Sequence, residues 1–475
     1  DNRRQVGEVT FADQRAIDDA LTRAGKVQRD WDAVPAHERA RRLCDAADRM
    51  EARTGELMAL CTREAGKSIP DGVAEVREAV DFLRYYAQQA VEEFDQPMQM
   101  PGPTGERNEL SLHGRGTFVC ISPWNFPLAI FTGQVAAALA AGNCVAAKPA
   151  EQTCLTAAAA VRILHEAGIP GDVLHFLPGD GPGVGGPLIK DPRIAGVAMT
   201  GSVETAKLIH RQLAERDGPI LPLIAETGGQ NAMIVDSTAL PEQVVQDVLQ
   251  SAFASAGQRC SALRVLFVQD DVADGMIEMI RGAMDELRVG DPAHLSTDVG
   301  PVIDSEARDM LQGHINAMSR NAKLLRQATL PENHEHGTFV APTAFEIDRM
   351  QTLQREVFGP VLHVVRYDRD HLDKVIAAIN ATGFGLTHGI HSRIDHTVEY
   401  IANRVKVGNC YVNRNMVGSV VGVQPFGGEG LSGTGPKAGG PHYLPRFATE
   451  RTLTIDTTAA GGNASLLSME EDLPQ

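Results

Sequence analysis

The first hundred residues repeat apolar positions at the spacing of amphipathic helices. Ala16, Ala20 and Leu21 lie on one such stripe, and the same spacing returns in 40–47 and 76–86. Because side chains three and four residues apart share one helix face, residues 11–95 are predicted to be helical. Residues 96–107 follow with three prolines and two glycines, which predict a linker or an excursion from the helical region.

From residue 117 onward, short apolar runs alternate with helical segments. The predicted strands are 117–121, 144–148, 173–177, 194–199, 220–224 and 232–235, with helices such as 128–141 and 154–167 between them. This alternation predicts crossover units and a largely parallel sheet. Ligands on such sheets bind beyond the carboxyl ends of the strands, so the loops there are the places to search for chemistry.

Three residues at the ends of predicted elements could take part in catalysis, as a nucleophile, a general base and an oxyanion donor. Cys260 follows an amphipathic helix that begins at Pro241, and it could be an accessible nucleophile, although a lone cysteine is more often a small buried hydrophobe. Glu226 ends an apolar run, where desolvation would raise its pKa toward that of a general base; a capping role is an equal alternative. Asn125 could donate its amide to an oxyanion, although asparagine is also a common turn residue.

Other loops offer groups that suit a nucleotide. Lys148 and Glu151 at a strand exit could bind ribose hydroxyls or could be solvated surface charges. Residues 181–186 (GPGVGG) fit the dinucleotide pattern G-x-G-x-x-G, but a glycine-rich loop matches it easily, so the support is weak. Residues 200–202 (TGS) offer hydroxyls and N–H groups at a helix start, which suits a phosphate. No cysteine or histidine set has metal-ligand spacing, so we expect no metal.

Composition narrows the function classes. The 475 residues suit two or three packed units, and 43% hydrophobic with 22% charged residues is ordinary for a globular protein. With 44 basic and 61 acidic residues, the net charge of −17 disfavours nucleic acid and anionic membrane partners. Seven cysteines without a CxxC pair favour a reducing, cytoplasmic compartment. The alanine-rich stretch 127–147 is better explained as a buried helix feeding a strand than as a membrane span.

Seven motifs in order resemble the NAD(P)-dependent aldehyde dehydrogenase superfamily. They are SPWNFP (122–127), KPAEQT (148–153), TGSVETA (200–206), ETGGQN (226–231), GQRC (257–260), EVFGP (356–360) and PFGGEGLSGTG (425–435). The resemblance implies that Cys260 is the nucleophile, Glu226 the base and Asn125 the oxyanion donor, together with the Cys260 N–H. It also implies NAD as the cofactor. Its expected contacts are Lys148 and Glu151 at the adenosine ribose, Gly201 and Ser202 at the pyrophosphate, Glu356 at the nicotinamide ribose, and Ser122 and Trp124 in the same cleft.

The resemblance also implies an α/β fold with three parts. These are a Rossmann-like NAD-binding domain (1–95 and 115–228), an α/β catalytic domain (229–426), and a small β-flap with a tail (96–114 and 446–475) used in oligomerisation. A homo-oligomer is therefore expected. The chain opens on Asp1 in a charged stretch, so we expect it to be a segment of a longer polypeptide or a trimmed form of one.

Residues 418–444 and 457–467 resemble a narrower branch, the L-glutamate γ-semialdehyde dehydrogenases, and most of all the dehydrogenase module of bifunctional proline utilization A flavoproteins. In that branch backbone amides and a hydroxyl bind the amino acid end of the substrate. The matching positions are Gly418, Ser419 and Ser261, with Phe126 and Phe426 flanking the aliphatic chain. A proline dehydrogenase flavin module, fused or separate, is the implied partner. Glu151 would repel a 2′-phosphate, which favours NAD over NADP.

Three alternatives stay open. The chain could be an aldehyde dehydrogenase of another specificity, such as betaine or succinic semialdehyde. It could be a catalytically silent relative with a structural or binding role, although Cys260, Glu226 and Asn125 are intact. It could also be a cysteine hydrolase with a Cys–His pair, although no histidine lies near Cys260 in the sequence.

Overall fold

A computed structural model describes residues 5–103, 106–332 and 334–456. The resemblance seen in 457–467 and the rest of the expected tail beyond 456 lie outside the described residues. No helix within these ranges is both long enough and apolar enough to cross a bilayer.

The N-terminal region consists of four helices, in agreement with the helical spacing of 11–95. They are α1 (Gln14–Asp32), α2 (Ala36–Ala52), α3 (Thr54–Ala65) and α4 (Ile69–Phe94). The Asp13 carboxylate accepts the Ala16 N–H and so caps α1, and Ser68 caps α4 in the same way. Gly66, at a left-handed φ of 65°, ends α3. Helices α2 and α4 pack on α5 (Ala129–Ala140), and apolar residues of all four helices contribute to one hydrophobic core.

The proline-rich excursion is not only a linker, because it contributes strands β1 (Met98–Met100) and β2 (Arg107–Gly114), which pair antiparallel. The first parallel sheet follows. Its elements are β3 (Thr117–Ile121), β4 (Cys144–Lys148), α6 (Cys154–Glu166), β5 (Leu174–Phe176), α7 (Gly186–Lys190), β6 (Ile194–Thr200), α8 (Val203–Ala214) and β7 (Leu223–Glu226). The strand order is β5-β4-β3-β6-β7. From β3 the chain adds β4 and β5 on one side of that strand, and it then crosses over to add β6 and β7 on the other side. The topological switch point therefore lies between β3 and β6.

One predicted strand of this sheet needs correction, and the 181–186 loop, which gave only weak support for a dinucleotide site, lies away from the switch point. The strand expected at 220–224 begins only at Leu223, because Ile220 is 99% exposed and has no place in the core. The 181–186 loop leads into α7 after the edge strand β5, two strands away from the switch point. The Asp180 carboxylate accepts the Gly183 N–H at 2.6 Å, so the loop caps itself and does not offer that N–H to a phosphate.

The second sheet has seven strands in the order β10-β11-β12-β9-β8-β14-β15, and only the β10–β11 pair is antiparallel. Its elements are β8 (Ala232–Val235), α9 (Pro241–Phe253), β9 (Val265–Gln269), α10 (Asp270–Asp285), α11 (Ser305–Asn321), β10 (Lys323–Gln327), β11 (Thr343–Glu346), β12 (Val361–Tyr367), α12 (Leu372–Asn380), β14 (Thr387–His391), α13 (Asp395–Ala402) and β15 (Asn409–Val412). A short ladder joins β13 (Phe384–Gly385) to β16 (Glu429–Gly430). Residues 227–231 carry the chain from the end of β7 in the first sheet directly to β8 in the second.

The last described strand, β17 (Ala448–Ile455), pairs antiparallel with β2 along its whole length. Together with β1 it forms a three-stranded sheet in the order β1-β2-β17. Segments more than 300 residues apart in the chain thus meet in one small sheet. Most of β17 is exposed, and its outer edge carries no strand among the described residues.

Candidate active site

A cavity of about 290 Å³ lies where α4, the loop after β3, the end of β7, the Cys260 loop and the 418–421 loop meet. Its size is near the lower end of small-molecule sites. It brings together the predicted nucleophile, the predicted base and all five predicted substrate contacts: Cys260, Glu226, Phe126, Ser261, Gly418, Ser419 and Phe426. The sequence places these residues on four separate segments, and the fold joins them.

Cys260 stands at the end of a tightly wound connection from α9. Ser255 and Ala256 take left-handed φ values of 57° and 54°, and Gly257 follows at 66°. A Cβ at Gly257 would lie 2.2 Å from the Gly359 carbonyl oxygen, so only glycine fits there. Backbone strain of this kind persists where the surrounding structure holds it, and functional sites often contain it. The loop therefore holds the Cys260 thiol rigidly at the cavity wall, where it is partly exposed.

The Cys260 thiol does not ionise readily in this setting. Burial raises the pKa of Cys260 to about 12, and the nearby carboxylates of Glu356 and Glu226 add to the rise. A thiolate is the attacking species in cysteine chemistry. The thiol must therefore transfer its proton to an acceptor at the site before it can attack a carbonyl.

Glu226 lines the same cavity as Cys260 and is the candidate for the general base that activates water. It ends β7 in a buried position, and its Oε2 accepts the Gly428 N–H at 3.2 Å, while Oε1 has no hydrogen-bond partner among the described residues. Burial raises the pKa of Glu226 well above its usual value, against the opposing effects of the Gly428 N–H and Lys437. A desolvated carboxyl with one free oxygen matches the requirements for a general base near neutral pH.

Asn125 is tied to the nucleophile loop but does not itself line the cavity. Its Nδ2 donates to the Gln258 carbonyl oxygen at 3.1 Å, two residues before Cys260. The adjoining Phe126 forms the cavity wall. An amide NH₂ carries two N–H groups, so one remains after this bond to meet an oxyanion.

The predicted cofactor contacts gather at the carboxyl edge of the first sheet. Ser122 follows β3, and its N–H donates to the Lys148 carbonyl oxygen at 3.1 Å at the end of β4. Lys148 is buried, and burial lowers its pKa, partly offset by Glu151 at 3.9 Å. Gly201 and Ser202 lie across the switch point at the start of α8.

The donors and acceptors at this edge fit a dinucleotide. A cation and an acid at the end of β4 match ribose hydroxyls, and the free N–H groups of α8 match a pyrophosphate. The Ser202 hydroxyl accepts the Thr205 N–H at 3.1 Å and keeps its own O–H as a donor, so this hydroxyl and the first N–H groups of α8 can both donate to a phosphate.

Glu356 lies on the loop before β12 of the second sheet, and Trp124 lies on the loop after β3 of the first sheet. The Trp124 and Phe358 rings stand edge to face with centroids 5.5 Å apart, which brings the SPWNFP loop to the loop of Glu356. A Cβ at Gly228 would lie 1.8 Å from Glu356 Oε2, so the carboxylate needs a glycine beside it. Within the described ranges no group of three or more histidine, cysteine or acidic side chains could hold a metal ion.

The cavity also has a charged wall that the sequence analysis missed. Helix α4 contributes Glu78 and Asp81, and burial raises the pKa of Glu78 to about 8. Two turns before Glu78, Asp71 pairs with Arg259 at 2.5 Å, next to the nucleophile. Asp71, Glu75 and Glu78 recur at helical spacing on a face that is otherwise apolar, and this pattern could have revealed them.

The sequence matches the aldehyde dehydrogenase family over residues 1–453. The chain belongs to this family. It is 56% identical over 455 residues to the bifunctional protein PutA of Klebsiella aerogenes, an alignment that covers 94% of this chain and 34% of that protein. It is 36% identical over 454 residues to the 1-pyrroline-5-carboxylate dehydrogenase of Geobacillus thermodenitrificans strain NG80-2, covering 94% of this chain and 87% of the relative.

A solved structure of the 1-pyrroline-5-carboxylate dehydrogenase from Thermus with bound NAD superposes on this fold with a TM-score of 0.90. The identity is 35%, and the match covers 94% of this aldehyde dehydrogenase and 86% of the Thermus chain. The expected aldehyde dehydrogenase fold, with its parallel α/β sheets, is thereby confirmed. This chain spans about a third of the length of the bifunctional relatives that it matches.

Proposed function

We propose that the chain catalyses the NAD-dependent oxidation of L-glutamate γ-semialdehyde to L-glutamate. One observation carries the proposal: a single cavity holds Cys260 and Glu226 together with groups that suit an amino acid, namely Gly418, Ser419 and Glu78. The similarity to 1-pyrroline-5-carboxylate dehydrogenases supports the same substrate.

The reaction begins when the Cys260 thiol loses its proton to water in the cavity and its sulfur attacks the aldehyde carbon. The second Asn125 N–H and the Cys260 N–H stabilise the oxyanion of the resulting thiohemiacetal, and removal of one such donor costs about 3–4 kcal/mol in comparable sites. Lys148, Glu151, the N-terminus of α8 and Glu356 would hold NAD⁺, which would supply the two-electron oxidation as hydride acceptor. Cys260 is then acylated as a thioester. Glu226 deprotonates a water that attacks this thioester, and glutamate leaves as the thiol re-forms.

Specificity for an amino acid aldehyde arises at the carboxylate and ammonium groups of the substrate, which lie at the opposite end from the aldehyde. Gly418 has a left-handed φ of 74° and no side chain to block its backbone, so backbone N–H groups of the 418–419 turn can approach a carboxylate. The hydroxyls of Ser419 and Ser261 add donors, and Phe126 and Phe426 pack on the methylenes. Glu78 and Asp81 offer carboxyl oxygens to the α-ammonium group, and Glu78, with a pKa of about 8, would ionise as that cation binds.

The cofactor preference, compartment and partners complete the proposal. Glu151 is expected to repel the 2′-phosphate of NADP. All seven cysteines are free thiols, which supports a reducing cytoplasmic setting. The exposed outer edge of β17 supports the use of 96–114 and 446–456 as a β-flap in a homo-oligomer. The similarity to bifunctional PutA supports a fused or partner proline dehydrogenase flavin module.

Measurement of NADH formation with glutamate semialdehyde and with a panel of simple aldehydes tests the proposal. We expect the highest kcat/KM for the amino acid aldehyde, no NADH with Cys260→Ala, and a burst of one NADH per site followed by stalling with Glu226→Gln. A preference for betaine aldehyde or succinic semialdehyde would identify another specificity. If no aldehyde gave NADH, the proposal would be rejected. A lower KM for NADP than for NAD would overturn the cofactor preference.

A further inference from the structure

We propose that Arg264 is a positioning residue that fixes the Cys260 loop against the loop of Glu356. Its guanidinium is 1% exposed and donates to four acceptors. Nη1 binds the carbonyl oxygens of Gly257 at 2.7 Å and Gly359 at 3.2 Å. Nη2 binds the Arg259 carbonyl oxygen at 3.0 Å and Glu356 Oε1 at 3.1 Å.

These acceptors belong to two loops with different tasks. Gly257 and Arg259 lie directly before the nucleophile, whereas Glu356 and Gly359 lie on the loop expected to bind the nicotinamide ribose. The guanidinium is a rigid planar fork, so its bonds set the separation between the two loops as well as joining them. A lysine has one nitrogen and cannot reproduce four donors at two separated positions.

Arg264 is itself held on a rigid support. It immediately precedes β9, a central strand of the seven-stranded sheet. Its N–H donates to the Asn231 carbonyl oxygen at 3.0 Å, and its own carbonyl oxygen accepts the His363 N–H at 3.0 Å. The Phe358 ring centroid lies 5.2 Å from its guanidinium carbon. The arginine therefore transmits the geometry of the sheet to both loops.

The consequence for the reaction rests on the proposed function, because that proposal assigns Glu356 to the nicotinamide ribose. Oxidation of the Cys260 adduct needs the cofactor ring and the sulfur-bound carbon at close approach. A displacement of about 1 Å in such a pair can cost about 100-fold in rate. Arg264 also opposes the effect of burial on the pKa of Glu356 and so favours the ionised carboxylate that can accept ribose hydroxyls.

The test uses Arg264→Lys and two readouts on the same protein. The first is NADH formation, together with NAD affinity measured by calorimetry. The second is hydrolysis of p-nitrophenyl acetate without NAD, which needs Cys260 and a base but no hydride transfer. We expect about a 100-fold loss of NADH turnover, a higher Kd for NAD, and a much smaller loss of ester hydrolysis.

Arg39→Lys is the matched control. Arg39 is similarly buried, at 3% exposure, and binds backbone carbonyls, among them Ala140 at 3.1 Å and Asp32 at 3.0 Å, and none of these three residues lines the cavity. It should lower stability without changing the ratio of the two activities. Equal losses of both activities in Arg264→Lys would show a merely structural role and overturn the inference, as would unchanged NADH turnover.

Glu356→Gln keeps the inference testable if Arg264→Lys does not fold. This variant leaves three Arg264 bonds in place and removes only the charged acceptor, so it should raise the Kd for NAD while ester hydrolysis is largely retained. When both single variants fold, their effects on NAD affinity should be less than additive in the double variant. Unchanged NAD affinity in Glu356→Gln, or full additivity in the double variant, would overturn the inference. If the wild-type protein binds NAD but oxidises no aldehyde, the proposed function fails, while NAD affinity and ester hydrolysis still decide the role of Arg264.

Discussion

A fully buried ion pair between Lys67 and Glu75 supports the loop that carries Asn125. Lys67 Nζ lies 3.2 Å from Glu75 Oε1, and both side chains are at most 2% exposed. Glu75 Oε2 accepts the N–H groups of Leu128 at 3.3 Å and Ala129 at 2.9 Å and so caps the start of α5. Lys67 Nζ also lies 4.1 Å from the centroid of the Phe126 ring. Lys67→Met removes the ammonium group, keeps most of the aliphatic stem, and leaves the Glu75 carboxylate without its cation.

Two limits set the expected loss of stability. At 3.2 Å and an effective dielectric constant of about 20, the lost attraction is about 5 kcal/mol. The variant can avoid part of this cost because Glu75 can take up a proton. Protonating a carboxyl with an ordinary pKa of about 4.3 at pH 7 costs about 3.7 kcal/mol. The smaller value is the limit, so we expect a loss of about 3–4 kcal/mol at pH 7, within the range for broken buried pairs.

The same reasoning fixes the sign of the pH dependence. Burial raises the pKa of Glu75 even in the intact protein, and in the variant the folded state keeps a proton that the unfolded state releases above its ordinary pKa. The variant therefore loses stability as pH rises, and the expected cost falls to about 1.6 kcal/mol at pH 5.5.

Urea unfolding followed by circular dichroism at pH 5.5 and 7.0 measures this cost from the shift in midpoint. Lys67→Met/Glu75→Gln is the control, because it removes both charges and keeps an acceptor for α5; it should recover most of the lost stability. A cost below about 1 kcal/mol at pH 7, or an equal cost at both pH values, would show that the pair is not desolvated and would refute the reasoning.

Two further predictions concern the cavity itself. Glu78→Gln should raise the KM for glutamate semialdehyde about tenfold in NADH assays, because one weakened charged contact is worth about 1.4 kcal/mol. The KM for propanal, which has no ammonium group, should stay nearly unchanged. Equal effects on both aldehydes would contradict a contact between Glu78 and the ammonium group. Because burial raises the pKa of Cys260 to about 12, its alkylation by iodoacetamide without NAD should speed up with each pH unit from 7 to 10, as followed by mass spectrometry of the Cys260 peptide. A plateau below pH 9 would indicate a thiolate already formed.

Spacing along the chain determined the helices of the N-terminal region, the alternation of strands and helices, and the loops that carry chemistry. These features are local, because the apolar face of an element and the polar residue at a strand exit both depend on residues only a few positions apart in the sequence. The order of seven short motifs was enough to indicate the family, and four of them lie at the exits of β3, β4, β6 and β7, where ligands bind to such sheets. The position of Glu226 at the end of a buried strand even predicted the direction of its pKa shift, which the structure confirms.

Tertiary packing decided the rest. Asp71 meets Arg259 across 188 positions of the chain, and β17 joins β2 across more than 300. Packing also made the thiol of Cys260 weakly acidic and left Ile220 in solvent. Charge pairing and burial at each of these positions depend on neighbours contributed by remote segments. The spacing of residues within one segment carries no information about those neighbours, so only the folded chain could supply them.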